Sequence, residues 1–565
     1  MIDASNVQNL GNRNSQHSFA QIPDVNMARS QFNRSFAIKD TFDFDYLIPI
    51  FVDEIIPGDT CNVNVNSFAR LATQQVPVLD NMYIDYFFFF VPARLVWDNW
   101  EKFNGAQDNP DDTTDYEIPT LTINDGSGFQ VGTIFDKFGL PTEVDDLTVN
   151  TLPFRCYNLI YNEWFRDQNL IDSVTVNKGD GPDSPSDYQL LKRAKKHDYF
   201  TSALPWPQKG DAVSLPLGLS APVYGPDDIS NGTNLWQGER VADNTGIRGT
   251  MFINSTPLLE AGNSLSNANW TSGSIRNFSI ASKANYDAAG SSAVPAYADL
   301  TEATAATINQ LREAFMVQSL LELDARGGTR YVEIIKAHFN VQSPDFRLQR
   351  PEFLAGGSTS INQHPVPQTS ESNTTLQANL AAFSTASTVG NRIGFTKSFT
   401  EHGYVIGLAQ ARGEVTYQQG INKMWLREDR FDFFWPKLQQ LGEQSILNKE
   451  IYAQGSTVDT GSTGTPDDER VFGYQERYAE YRYYPSQIKG QFRSTFATSL
   501  DVWHIAEEFS SLPSLNQTFI ESNTPIERSL ATADSYPHIL FDAYFNYKHA
   551  RPMMTYGVPA TLGRF

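Results

Sequence analysis

A chain of 565 residues with 43 Lys and Arg against 65 Asp and Glu carries a formal charge of −22, which argues against wrapping duplex DNA by summed electrostatics, because counterion release needs clustered cations. Hydrophobic residues at 40%, aromatic residues at 13% and charged residues at 19% allow a large core and exclude global disorder. Cys61 and Cys156, the only two cysteines and far apart, rule out a disulfide framework, a zinc ribbon or a CxxC redox centre and read as buried thiols.

Residues 1–35 read as a flexible arm, since Asn6, Gln8, Asn9, Asn12, Asn14 and Gln16 offer too little apolar surface to offset the entropy of ordering. The first residues lack the basic and apolar regions of a signal peptide, and the longest apolar run, Tyr86 to Ala93, is too short to span a bilayer. The chain is therefore expected to be made in the cytoplasm, with no membrane insertion. From Thr41, the residues Phe42, Phe44, Tyr46, Ile48 and Ile50 alternate with Asp43 and Asp45, which predicts one half-buried strand to Ile50. Turn chemistry at Ile56 to Thr60 leads into a second strand, with Cys61, Val63 and Val65 alternating with Asn62, Asn64 and Asn66. Met82 to Val91 shows no alternation, so it is a strand covered on both faces or the centre of a sandwich.

Asp108 to Asp115 reads as a solvated acidic loop. Pro153 to Arg166 reads as a helix, with Pro near its start and Tyr157, Ile160 and Trp164 at helical spacing. Residues 36–209 thus form the first part of a β-rich body. Residues 210–303 are rich in Gly, Ser, Asn, Thr and Ala without strong periodicity, as in an elaborated surface insertion. The remainder, 304–565, opens with helices over Thr307 to Gly327 and Thr329 to Phe339, continues through a loop over Ala355 to Gln377, and returns to aromatic and β-branched text at Ile393 to Arg412 and Gly473 to Trp503. Another loop, Gly455 to Asp468, separates these two, and no fixed-period repeat supports a solenoid or propeller.

Val458 to Ser462 spells the local signature of an aspartic protease, but it sits in a Gly/Ser/Thr run without flanking strands or a second copy. The eight histidines make no HExxH, and the glycines make no phosphate loop or serine elbow. No cofactor is implied, and metal binding is left unassigned although the Asp108 to Asp115 loop has calcium-type ligands. One cationic cluster stands out: Lys192, Arg193, Lys195 and Lys196 precede Tyr199 and Phe200, a combination suited to holding phosphates and stacking an unpaired base. The competing reading is a solvated helix face or ion-pair partners for the many carboxylates. Arg347 and Arg350 beside Phe346, with Arg551 and Arg564, are weaker candidates of the same kind.

Several strings together carry a family likeness: Arg34 to Phe42 with Pro57 to Thr60, His197 to Pro207, Leu323 to Ile335, Ser343 to Pro351, Phe472 to Tyr483, and Arg551 to Met553. With these the chain resembles the major capsid protein of microviruses, in the gokushovirus branch of small single-stranded DNA bacteriophages, from about residue 30 to the end. The resemblance implies an eight-stranded antiparallel jelly roll of the viral capsid type with long loop insertions containing some helices. It also implies self-assembly into a T=1 icosahedral shell around circular single-stranded DNA. Partners would be further copies of the chain, the packaged DNA, other virion proteins and a host surface receptor, with the variable insertion projecting outward and contributing to host attachment. The expected place is the virion, assembled in the host cytoplasm. A structural, non-enzymatic chain is thus the expectation. The rival reading is a carbohydrate-processing β-sandwich enzyme using paired carboxylates such as Glu476 and Glu480, and the missing signal peptide counts against it.

Overall fold

Alternation in the strands decides which faces are buried, and the computed structural model shows the outcome for residues 29–113, 115–213, 308–374, 377–531 and 536–556, plus the backbone of a few two-residue strands between 223 and 298. The chain divides into two compact units, Met1–Pro207 with Leu323–Phe565, and Gln208–Glu322.

The larger unit begins with strands β1 (Ser30–Asn33), β2 (Phe36–Phe42), β3 (Ile48–Ile55), β4 (Thr60–Leu71) and β5 (Met82–Pro92). A short hairpin follows, β6 (Thr120–Ile123) with β7 (Leu147–Asn150), then helix α1 (Leu152–Ile160), which continues as one wider turn to Phe165. After helix α2 (Ile308–Gly327), most of which belongs to the smaller unit, and helix α3 (Tyr331–Phe339) come β8 (Glu352–Ser360), β9 (Asn362–Pro367), β10 (Leu380–Ser387), β11 (Ile393–Ser398) and β12 (Gly403–Gly413). The hairpin β13 (Glu443–Leu447) with β14 (Val471–Glu476) and the closing strand β15 (Ile539–Arg551) complete the fold.

Two antiparallel sheets face each other. The seven-stranded sheet runs β1-β15-β4-β10-β9, with β2 also on β15 and β11 also on β4, and the four-stranded sheet runs β8-β5-β12-β3. Successive strands cross between the sheets except from β5 to β8, which pair with each other: β2, β4, β11 and β15 lie in one, β3, β5, β8 and β12 in the other. That path makes the sandwich a jelly roll, to which β1 and the β9–β10 hairpin add strands. Its two long connections are 93–351, between β5 and β8, and 414–538, between β12 and β15.

Three apolar cores follow from the patterning. Val63, Val65, Ile84, Tyr86, Phe88, Phe541 and Phe545 fill the space between the sheets. Phe89, Val91, Ile406 and Leu408 point from the other face of the four-stranded sheet into a second core with Trp97, Phe154, Tyr157 and Ile160. The unbroken apolar run of β5 is therefore a strand covered on both sides. A third core, with Phe200, Ile446, Phe472 and Phe519, joins the two long connections to each other. Both cysteines are buried free thiols, and burial pushes the Cys61 thiol up to about 11.

Two expectations need correction. The single strand predicted from Thr41 to Ile50 is broken into β2 and β3 at Asp45, whose φ is 73°. The buried Asp45 carboxylate accepts hydrogen bonds from Ser522 Oγ at 2.6 Å and from the Thr524 N–H and Oγ1 at 2.5 and 2.9 Å, which holds the chain in that corner. The loop predicted from Ala355 to Gln377 instead carries β8 and β9. Its glycines serve close approach: a Cβ on Gly357 would sit 2.8 Å from the Ile393 side chain, and one on Gly356 3.0 Å from the Tyr86 carbonyl oxygen.

In the smaller unit, the Lys209 N–H donates to the Leu321 carbonyl at 3.2 Å and Gln318 Nε2 donates to Glu322 at 2.8 Å. Val223–Tyr224 pairs with Tyr297–Ala298. Apart from these short strands and residues 210–213, the expected insertion 210–303 lies outside the described residues, as do residues 1–28 of the expected arm.

Candidate nucleic-acid and assembly surfaces

The cationic cluster follows the second core in an extended segment, so each side chain takes its surroundings from a different neighbour. Lys192 bridges to Tyr46, with its Nζ 5.1 Å above that ring and donating to Asn523 Oδ1 at 3.0 Å. Arg193 lies over Phe87 and Phe165 at 5.3 and 5.6 Å, with Asp85 3.7 Å away. Burial pulls its pKa down, against the field of Asp85. Lys195 is buried, its Nζ 2.5 Å from Glu507 and 4.6 Å above Phe519. Burial raises the Glu507 carboxyl even though Lys195 opposes it. Lys196 is exposed.

The cluster therefore does not form one open patch. Lys195 and Arg193 act as internal staples, the ion-pair alternative for these two, whereas Lys196 is exposed and makes no ion pair among the described residues. Tyr199 and Phe200 belong to the third core, where the Tyr199 hydroxyl donates to Glu450 at 3.1 Å, so neither ring is open for stacking. Among the weaker candidates, Arg350 pairs with Asp345 at 2.8 Å and covers Trp164, and Arg551 pairs with Asp59. Arg564 lies outside the described residues.

The catalytic decoys resolve into structural contacts. Asp459 of the protease-like string accepts from the Gly464 N–H at 2.8 Å and pairs with Arg470 on an exposed loop. Glu476 pairs with Arg482, whereas Glu480 takes Arg427 at 3.3 Å and Gln444 at 2.6 Å, so each carboxylate has its own cation. In the acidic loop, Asp112 accepts from the N–H groups of Asp108 and Asn109 at 3.1 and 3.0 Å. No group of three or more His, Cys, Asp or Glu side chains suited to a metal occurs among the described residues, and no described helix is long and apolar enough to cross a membrane.

Two buried polar clusters brace the sandwich. Arg155 of α1, wholly buried, grips Asp183 with two hydrogen bonds of 2.7 and 2.6 Å and donates to the carbonyls of Val96 and Gly179. Burial alone would raise the Asp183 carboxyl, but the bonds from Arg155 and Tyr188 outweigh it and hold the carboxyl low. At the end of β15, His549 Nε2 lies 2.9 Å from Asp59 and Nδ1 lies 2.7 Å from the Tyr547 hydroxyl, with Arg34 and Asp53 beside them. Burial lowers the His549 pKa, and Arg551 adds to the effect.

Sequence reasoning passed over one exposed aromatic run in the connection 414–538. Trp425 is 75% exposed and Phe431 61%, followed by exposed Phe433, Phe434 and Trp435. The signal was present as aromatics interleaved with charge in Arg430 to Pro436. Exposed rings this close together on one segment mark a place for another macromolecule.

A jelly roll with long decorated connections, braced polar interiors and exposed aromatics defines a structural building block. The capsid protein (F protein) family matches residues 20–561, and the chain belongs to that family. It is 61% identical to the capsid protein VP1 of Bdellovibrio phage phiMH2K, over 98% of this chain and 100% of that one. Identity to the capsid protein VP1 of Chlamydia phage 1 is 40%, over 96% of this chain and 97% of the relative. Spiroplasma virus 4 has a capsid protein VP1 that is 35% identical over the same shares. Membership places the chain in the virion as a major capsid protein of the microvirus type, a structural role and not a catalytic one.

Proposed function

We propose that copies of this chain close into a T=1 icosahedral shell that encloses single-stranded DNA, accepts other virion proteins, and reaches a host receptor through the segment 210–303. The observation that carries the assembly reading is the exposed aromatic run from Trp425 to Trp435, which makes physical sense when a neighbouring copy covers it. A shell built from one chain needs self-complementary patches around each symmetry axis, and this run supplies one apolar patch. Lys196 is the member of the sequence-predicted cluster that this reading keeps as a DNA contact.

Hydrodynamic size and negative-stain imaging test the shell. Closed particles of one size class are expected, and a chain that stays monomeric at high concentration under every salt and pH condition overturns the proposal. Replacing Ser220 to Ala289 with a short linker should leave shells intact and impair infection; loss of soluble folding would show the attachment segment to be misplaced. Lys196→Gln should lower packaged DNA in otherwise intact shells, whereas unchanged packaging removes that residue from the interior.

A further inference from the structure

The outward face of the seven-stranded sheet departs in charge from the chain that carries it. The whole protein has 65 acidic residues, yet on the outward positions of the paired strands of this sheet Asp542 is the single acid, and Lys39 lies 3.4 Å from it. Asn62, Asn64 and Asn66 of β4 stand beside Lys548, Asn546 and Tyr544 of β15 in the strand register. Around the first two of these pairs a hollow of ≈ 470 Å³ opens, bordered by Gln31 and Arg392 and lined by no carboxylate. Lys548, Arg392 and Arg70 are exposed and make no ion pair within 4.0 Å among the described residues. Asn64 Oδ1 is shielded from solvent and has no described hydrogen-bond partner.

Aromatic rings continue the face. Tyr544 is 49% exposed and Phe68 52%. They are diagonal neighbours, since Tyr544 faces Asn66 and Phe68 faces Asp542, a placement at which large side chains reach each other. Farther across, Phe383 lies stacked on His364, with the ring centres 4.9 Å apart.

We propose that this face is a platform for single-stranded nucleic acid. The cations and amide donors of the hollow take the phosphates and base edges, and Tyr544 and Phe68 stack unpaired bases. Charge decides the occupant: an acid-poor, cation-bearing surface stands out on a chain of net charge −22, and it offers a polyanion a local excess of cations. Exposed rings standing on an open sheet face suit bases that are free to splay, not the stacked interior of a duplex. The inference deepens, and rests on, the reading that the chain encloses single-stranded DNA, and it moves the principal contact from Lys192, Arg193, Lys195 and Lys196 to the sheet.

The test titrates the full-length unassembled chain into a fluorescein-labelled 20-nucleotide oligo(dT), following anisotropy across a salt series. The unsubstituted protein should bind, and the Arg392→Gln/Lys548→Gln double variant should flatten the log–log salt slope by about 1.4, or roughly 0.7 for each phosphate no longer neutralised. Tyr544→Ala and Phe68→Ala should each weaken binding by about 5- to 160-fold at fixed salt. Tyr544→Trp should restore it, which separates stacking from misfolding. Substituted proteins that bind like the parent, with circular dichroism unchanged, overturn the platform and leave DNA enclosure standing. Failure of the unsubstituted chain to bind at low salt overturns both. A peptide of residues 1–28 that displaces the oligonucleotide, together with tighter binding after those residues are deleted, assigns the face to the arm and overturns the platform as well.

Discussion

The two sheets of the sandwich use the same backbone pairing for different ends. Both faces of the central strands β5 and β12 of the four-stranded sheet are buried, one against the facing sheet and one under residues 96–191. The seven-stranded sheet buries one face and leaves the other to exposed Asn66, Phe68, Arg70, Tyr544 and Lys548. The first sheet therefore carries stability and the second carries a surface. Substitutions should divide accordingly.

The largest effect is expected where the covering layer is pinned. Arg155→Met would leave the wholly buried Asp183 carboxylate without its cation and should cost about 3–5 kcal/mol in urea unfolding of the unassembled chain. A cost under about 1 kcal/mol would mean that the layer over the four-stranded sheet is held by packing alone. A smaller effect belongs to His549, on the inward side of the other sheet. Its folded pKa is depressed, so below about pH 6.5 the unfolded chain takes up a proton that the folded chain refuses. Stability should therefore be full above about pH 6.5 and decline as the pH falls through that value toward the lower folded pKa, and His549→Gln should flatten this slope. The smallest effect is expected on the open face, where Phe68→Ser should shift stability by no more than about 0.5 kcal/mol. A larger loss would show that face to be part of the core.

Strands announced themselves wherever local pattern matched burial. Cys61, Val63 and Val65 face inward and the intervening asparagines outward, as the alternation of β4 required, and the unbroken run of β5 marked a doubly covered strand. Helix α1 starts with Pro153 near its first turn, as its sequence suggested. What was illegible depended on partners far along the chain. The corner at Asp45 exists because Ser522 and Thr524 meet its carboxylate, and nothing between Thr41 and Ile50 encodes them. β8 looked like a loop because its glycines make room for the Phe353 ring of the same strand, the Tyr86 carbonyl of β5 and the Ile393 side chain of β11. The cationic cluster left two readings open for the same reason: the acids that occupy Arg193 and Lys195 are Asp85 on β5 and Glu507 in the connection 414–538, both remote in sequence. The open sheet face was written in alternation, as asparagines between valines, but its second half lies on β15, near the other end of the sequence.

That last pairing has a consequence for how the molecule is made. β4 emerges early from the ribosome, yet every described strand that hydrogen-bonds to it, β10, β11 and β15, is synthesised after residue 379. Its rows of N–H and C=O groups wait unpaired through most of translation, and such an edge templates pairing with other nascent chains. The yield of usable coat protein in an infected cell should therefore track chaperone supply and the spacing of nascent chains on the message more closely than the stability of the finished fold.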